Sequence, residues 1–91
     1  MLKFTNNNNN TFTATVTILE TPFSYDYYID SDNMVHVINS QKNSDTNMSL
    51  ISYMDKLRAG HTITPMLKEL GIQLVKFIKV ETGNNAITKL A

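Results

Sequence analysis

The sequence predicts a small α+β domain, with an antiparallel sheet and two short helices packed on one face of it. Apolar and polar residues alternate along residues 11–38, as in strands that bury one face. Between residues 48 and 70 the apolar spacing changes to the three- and four-residue steps of a helix. The 91 residues fit a single domain, residues 1–91, with no room for a second core. We expect the element order β-β-β-α-α-β-β.

Three strands are predicted in the alternating region. In residues 11–18, four threonines alternate with apolar residues, which is typical of a strand with one buried face. In the next predicted strand, residues 23–30, Tyr25 and Tyr27 share the apolar face, while Tyr28 lies on the other. Turn-forming residues follow at positions 30–33, and residues 34–38 are predicted to return as the second strand of a hairpin.

The first ten residues form an asparagine-rich lead-in that ends in five consecutive asparagines. Asparagine side chains bond to nearby backbone groups and so compete with regular secondary structure. We therefore expect a short strand at residues 2–5, followed by a flexible or wide hairpin loop.

Two helices are predicted after a loop at residues 39–43. Residues 44–46 contain candidate N-caps for the first helix, and Gly60 is expected at its C-terminal end. The second helix is expected at residues 65–70, with its end at Gly71.

Residues 72–80 are the most apolar stretch and allow two interpretations. Their β-branched content favours a central strand, with residues 86–90 pairing back as the last strand. Alternatively, Gly71 is the turn of a helix-turn-helix, and residues 73–79 form its recognition helix. The expected element order uses the first interpretation.

Charges are balanced overall but unevenly distributed. Residues 1–55 contain two basic and six acidic residues, and residues 56–91 contain six basic and two acidic residues. This balance produces no general attraction to nucleic acid, but it permits one acidic face and one basic face.

The composition excludes the usual catalytic and metal-binding patterns. There is no cysteine, which removes thiolate nucleophiles and the common structural zinc sites. The two histidines accompany no nucleophile motif, and the three glycines stand too far apart to cradle a phosphate. Asp30 and Asp32 begin like a calcium loop, but Met34 and Val35 occupy positions that need a ligand and a glycine. We expect no enzymatic activity, no metal and no cofactor.

The same features predict a cytoplasmic protein without membrane contact. No apolar run approaches the length that crosses a bilayer, and the N-terminus lacks the apolar core of a signal peptide. A small secreted domain would also need disulfides. Frequent Asn, Lys and Ile favour an AT-rich genome, such as that of a bacteriophage or another mobile element.

The leading functional hypothesis is a small non-enzymatic module that binds another protein, as a regulator or a phage-encoded inhibitor. It depends on an acidic, tyrosine-bearing surface, because tyrosine is enriched at protein interfaces. The predicted protein-binding residues are Asp26, Tyr28, Asp30 and Asp32.

Two alternatives remain open. The first is a nucleic-acid-binding accessory protein that contacts phosphates through its basic C-terminal half. Its predicted contact residues are Gln73, Lys76, Lys79 and Lys89. The second is a homodimer formed through exposed sheet edges.

Overall fold

A computed structural model describes residues 1–88, with side chains described for residues 1–38 and 42–88. Four strands precede two α-helices, and a short 3-10 turn lies directly before the second helix. The elements are β1 Leu2–Asn8, β2 Thr11–Ile18, β3 Thr21–Ile29, β4 Val35–Lys42, α1 Leu50–Lys56 and α2 Ile63–Thr82. The predicted α+β class, with an antiparallel sheet and two helices, is confirmed.

The core lies between one face of the sheet and the two helices. The four strands form an antiparallel meander in chain order, so their alternating apolar residues all reach the same face. Leu70, Leu74 and Ile78 recur every four residues along α2 and are at most 1% exposed. The sheet contributes Phe12, Ala14, Val16, Phe23, Tyr25, Tyr27, Ile29 and Val35, and α1 contributes Leu50 and Met54.

The strand predicted at residues 34–38 is present as β4 and extends beyond its predicted end. β4 continues through most of the predicted loop at residues 39–43, so all four strands precede the helices. Its pairing with β3 contains two register shifts, which permit polar residues in a strand without a strict alternation. The second half of β4 therefore comes from a polar segment that the alternation pattern does not mark as a strand.

The strand predicted at residues 72–80 is wrong, because this segment is the second half of α2. Strand propensity is a weak preference, and here it is overridden by the burial of one helical stripe against the sheet. The helix-turn-helix interpretation is also wrong, since α2 continues through the buried Gly71 without a turn. Of the predicted last strand, residues 86–90, the described part makes one bridge, between Met34 and Ile87.

The ends of both helices also differ from the predictions. The N-cap of α1 is Ser49, whose hydroxyl accepts a hydrogen bond from the Ser52 N–H at 3.1 Å. α1 ends at Lys56 with Leu57 as its C-cap, and Arg58 takes the left-handed conformation, φ 57°, that was expected of Gly60. The left-handed C-cap of α2 is Gly83, with φ 79°.

The loop between β4 and α1 is organised by Asn43, which is 4% exposed. Its side-chain oxygen accepts hydrogen bonds from the backbone N–H groups of Asp45 and Thr46, at 3.0 and 2.9 Å. Its side-chain nitrogen donates to the Pro22 carbonyl at 2.9 Å. One buried side chain thus forms the turn and ties it to β3, which explains why residues 44–46 do not cap the helix.

The first two hairpin turns have similar backbone conformations but different sequences. β1 extends through Asn8, beyond the predicted residues 2–5, and Asn9 and Asn10 turn the chain with φ near 60°. Asparagine tolerates this left-handed conformation. The β2–β3 turn places Leu19 and Glu20 at φ 47° and 68°, although neither residue favours positive φ.

Candidate protein-binding surface

The face of the sheet opposite the core carries no helix within residues 1–88, and we call it the open face. Alternation along β2 and β3 fixes its composition, because every second residue of these strands enters the core. Among the described side chains, this face includes Lys3, Thr5, Asn7, Thr11, Thr13, Thr15, Thr17, Pro22, Ser24, Asp26, Tyr28 and His36. It is a surface rich in hydroxyl groups, with one exposed aromatic ring at one side.

A row of hydrogen bonds crosses three strands of the open face. The Asn7 side-chain amide donates to the Thr13 hydroxyl at 2.7 Å, and that hydroxyl donates to an Asp26 carboxylate oxygen at 2.8 Å. Thr13 and Asp26 are direct cross-strand neighbours, so the register of β2 and β3 sets this contact. The row holds the Asp26 carboxylate at a defined position on the face.

Tyr28 lies two residues further along β3 and is 42% exposed. Its ring stacks on His36, its cross-strand neighbour on β4, with centroids 4.9 Å apart and planes 19° apart. The Nε2 atom of His36 in turn lies 2.7 Å from a carboxylate oxygen of Asp30. Tyr28 is therefore an exposed ring supported on one side by an oriented imidazole.

Asp30 also shapes the turn between β3 and β4. Its other carboxylate oxygen accepts hydrogen bonds from the backbone N–H groups of Asp32 and Met34, at 2.8 and 2.9 Å. The hydrogen bond with His36, and next the one from Met34, hold the pKa of Asp30 below its usual value of 3.8. Asp30 is thus a charged turn residue that orients the imidazole beneath Tyr28.

We call Thr13, Asp26, Tyr28, Asp30 and His36 the Tyr28 patch. Of the four predicted protein-binding residues, Asp26 and Tyr28 lie side by side in it, and Asp30 joins through His36. Asp32 is exposed in the adjoining turn and meets the patch only through its backbone N–H. His36 was not among the predicted binding residues. Its place opposite Tyr28 depends on the β3–β4 register, which the alternation pattern alone does not give.

Of the residues predicted to contact nucleic acid, Gln73, Lys76 and Lys79 belong to α2, on the other side of the molecule. Lys76 and Lys79 are exposed on the face of α2 that points away from the sheet. The Gln73 amide donates to Glu69 at 2.8 Å, and the Lys79 ammonium donates to the Gly83 carbonyl at 3.0 Å. Lys89 lies outside the described residues. Lys76 and Lys79 of this group therefore share a solvent-facing helix surface.

An apolar cleft of about 260 Å³ opens between the sheet and the helices, beside the first residues of β1. Among the described lining residues, Glu69 has the one charged side chain. The other lining residues are Met1, Leu2, Val16, Ile18, Leu50, Met66, Leu67 and Leu70. The lining side chains that the structure describes include no pair of groups suited to acid–base or nucleophilic chemistry.

Among residues 1–88, no three His, Cys, Asp or Glu side chains come together as they would around a metal ion. Within the same residues, neither helix has the length and apolarity needed to span a membrane. Comparison of the chain with protein-family models, curated proteins and solved structures gives no match.

Proposed function

We propose that this protein is a small non-enzymatic module that binds another protein through the Tyr28 patch. The observation that carries the proposal is an exposed tyrosine ring held in place by stacking on His36, on a sheet face that carries no helix. A ring that is already ordered loses little conformational freedom on binding, which is why tyrosine serves well as an interface anchor. The charges of Asp26 and Asp30 favour a partner with basic side chains.

Two features support docking on a surface over catalysis in a pocket. Within residues 1–88, the His36 imidazole has a carboxylate as its hydrogen-bonding partner, and no nucleophilic side chain is bonded to it. The apolar cleft lies at β1 and the helices, away from the patch.

We further propose a cytoplasmic location, because the chain contains no cysteine. We also propose that the module is encoded by a phage and inhibits a host protein, because the frequent Asn, Lys and Ile favour an AT-rich genome.

The test is quantitative affinity capture from cells of the source organism, followed by titration with each captured protein. The variant Asp26→Ala with Tyr28→Ala removes the ring and the adjacent charge. The matched control, Lys68→Ala with Lys76→Ala, changes two exposed residues on the other side of the molecule. We expect the first variant to weaken binding at least about tenfold, as for loss of an interface anchor, and the control to bind normally.

Equal binding by both variants, with unfolding midpoints unchanged, would place the interface elsewhere and overturn the proposal. The His36→Ala variant refines the test. It removes the stacking partner while the tyrosine stays present, so we expect a smaller loss than for Tyr28→Ala.

A second candidate function is nucleic-acid binding through α2. The observation that favours it is the exposure of Lys68, Lys76 and Lys79 along one helix. Binding of fluorescent DNA and RNA across a salt series tests it, because each neutralised phosphate releases counterions. Affinity that falls steeply with salt, and falls less steeply for Lys76→Ala, would support this function; absence of binding at low salt would exclude it.

A further inference from the structure

The outer edge of β1 presents unpaired backbone groups. Met1 and Thr17 exchange two backbone hydrogen bonds, at 2.9 and 3.2 Å, and such exchanging pairs alternate along an antiparallel ladder. Leu2, Phe4 and Asn6 therefore direct their N–H and C=O groups away from β2. Within residues 1–88, β1 pairs with β2 alone, so this edge has no second strand.

The opposite edge of the sheet differs, because a segment after α2 covers the beginning of β4. The Val35 N–H donates to the Ile87 carbonyl, and the Ile87 N–H donates to the Asn33 carbonyl, both at 2.8 Å. The two register shifts of the β3–β4 pairing further distort that edge. Covering segments and bulges are among the protections of an edge strand, and within residues 1–88 neither is present at residues 2–5 of β1.

Apolar surface borders the open edge on its core side. Leu2 and Phe4 are half-buried, and Phe4 stacks on the half-buried Phe77 of α2, with ring centroids 5.5 Å apart. The apolar cleft continues this surface past Leu2 to Met66. A strand added at β1 would thus gain apolar contacts as well as backbone hydrogen bonds.

We propose that a second copy of this chain adds its own β1 antiparallel to this edge, which joins two four-stranded sheets into one eight-stranded sheet. The charge of Lys3 disfavours one register, and the apolar ring of Phe4 favours another. A pairing centred on Lys3 would place two ammonium groups opposite each other, which is unfavourable. A pairing centred on Phe4 places the two Phe4 rings opposite each other and Lys3 opposite Thr5 of the second copy.

This register is self-complementary. The outward groups of Leu2, Phe4 and Asn6 on each copy satisfy those of the other, with about six backbone hydrogen bonds in total. The two-fold axis of an antiparallel strand pair is perpendicular to the sheet, so both open faces point in the same direction. The dimer would present two Tyr28 patches side by side, although its formation does not depend on their function.

Sedimentation equilibrium over a wide range of concentration tests the dimer, with two kinds of variant at β1. Asn6→Pro removes an outward N–H group, and Asn6→Ala is its control, since it removes the same side chain but keeps the N–H. Thr5→Lys places like charges opposite each other twice in the proposed register, and Thr5→Glu places opposite charges there. Thr5 is exposed, so neither change disturbs the core.

We expect the natural chain and Asn6→Ala to dimerise, and Asn6→Pro to remain monomeric. Thr5→Lys should weaken the dimer and Thr5→Glu should strengthen it, each by about two- to thirtyfold in dissociation constant. A chain that stays monomeric at every concentration would overturn the proposal. So would a dimer that does not respond to these variants, or an assembly larger than a dimer.

Discussion

The two faces of β3 differ sharply although their residues are immediate neighbours in sequence. Tyr27 is fully buried, whereas Tyr28 is 42% exposed. On the core face, side chains are held by packing against α1 and α2. On the open face, Asp26 accepts a hydrogen bond from Thr13, and Tyr28 stacks on His36. We therefore expect the core face to supply most of the stability and the open face to tolerate substitutions without loss of the fold.

The largest expected contrast between the faces is between two residues of β2. Phe12 is 1% exposed and contacts Phe77 edge to face, so Phe12→Ala should cost about 3–5 kcal/mol of unfolding free energy. Thr15 lies on the open face, and Thr15→Ala should cost about 1 kcal/mol or less, mainly through strand propensity. Urea unfolding followed by circular dichroism measures both. Similar costs for the two variants would contradict the assignment of stability to one face.

The same contrast explains how much of the fold the sequence predicts. β2 and β3 were predicted well because strict alternation marks a strand with one buried face. The alternation also placed Asp26 and Tyr28 on the open face. It could not place His36, because the cross-strand neighbour of Tyr28 depends on register.

Two regions were unpredictable for identifiable physical reasons. In residues 72–80, local composition favours a strand, whereas the four-residue spacing from Leu70 to Ile78 fits a helix with one buried face. The helix forms because its packing against the sheet outweighs the local strand propensity. At the β2–β3 turn, Leu19 and Glu20 adopt positive φ without a turn-forming residue. The pairing of β2 with β3 imposes this turn, so the residues at positions 19 and 20 do not predict it.

Asn43 is the one polar residue that is buried among the described side chains. Asn43→Ala should cost about 2–3 kcal/mol, because the Pro22 carbonyl and the N–H groups of Asp45 and Thr46 lose their partner. Ser44→Ala, at an exposed neighbouring position, is the control and should change little. Urea midpoints of the two variants test this. A small loss for Asn43→Ala would mean that the loop keeps its turn without the side chain.

The third prediction uses two buried tyrosines whose hydroxyl groups have no hydrogen-bonding partner among the described residues. Tyr25→Phe and Tyr27→Phe should each stabilise the protein by about 1 kcal/mol, since an unpaired buried hydroxyl is unfavourable. Tyr28→Phe, on the open face, should have little effect. Chemical unfolding at neutral pH measures all three variants, and a loss of stability at Tyr25 or Tyr27 would reveal a partner for that hydroxyl.

The same tyrosines predict a loss of stability in alkali. Burial raises the pKa of Tyr25 to about 12, and burial together with Tyr25 raises the pKa of Tyr27. The unfolded chain releases these protons near pH 10, before the folded chain does. Stability should therefore be complete below pH 10 and fall as the pH rises through the folded values. The double variant Tyr25→Phe with Tyr27→Phe should show a flatter alkaline limb, and an unchanged limb would assign the effect to other groups.

The smallest expected effect is a change in stability at acid pH, and it depends on Asp30, which bonds to His36 in the Tyr28 patch. Its hydrogen bonds with His36 and Met34 lower its pKa below 3.8, so the folded state favours the carboxylate. This stabilisation is present above the unfolded pKa and is lost as the pH falls through the lower folded value. Asp30→Asn should flatten the acid limb of the stability profile, while Asp32→Asn, which leaves the Asp30–His36 contact in place, should not.

The outcome of the Asp30 test also bears on the proposed function. If Asp30 orients His36, then Asp30→Asn should weaken partner binding while Tyr28 and Asp26 remain in place, and the loss should be smaller than for Tyr28→Ala. Titration of the captured partner at neutral pH measures it. Normal binding by Asp30→Asn would mean that the ring is held by the strand register alone. The carboxylate would then serve only the turn between β3 and β4, and the functional part of the patch would narrow to Asp26, Tyr28 and His36.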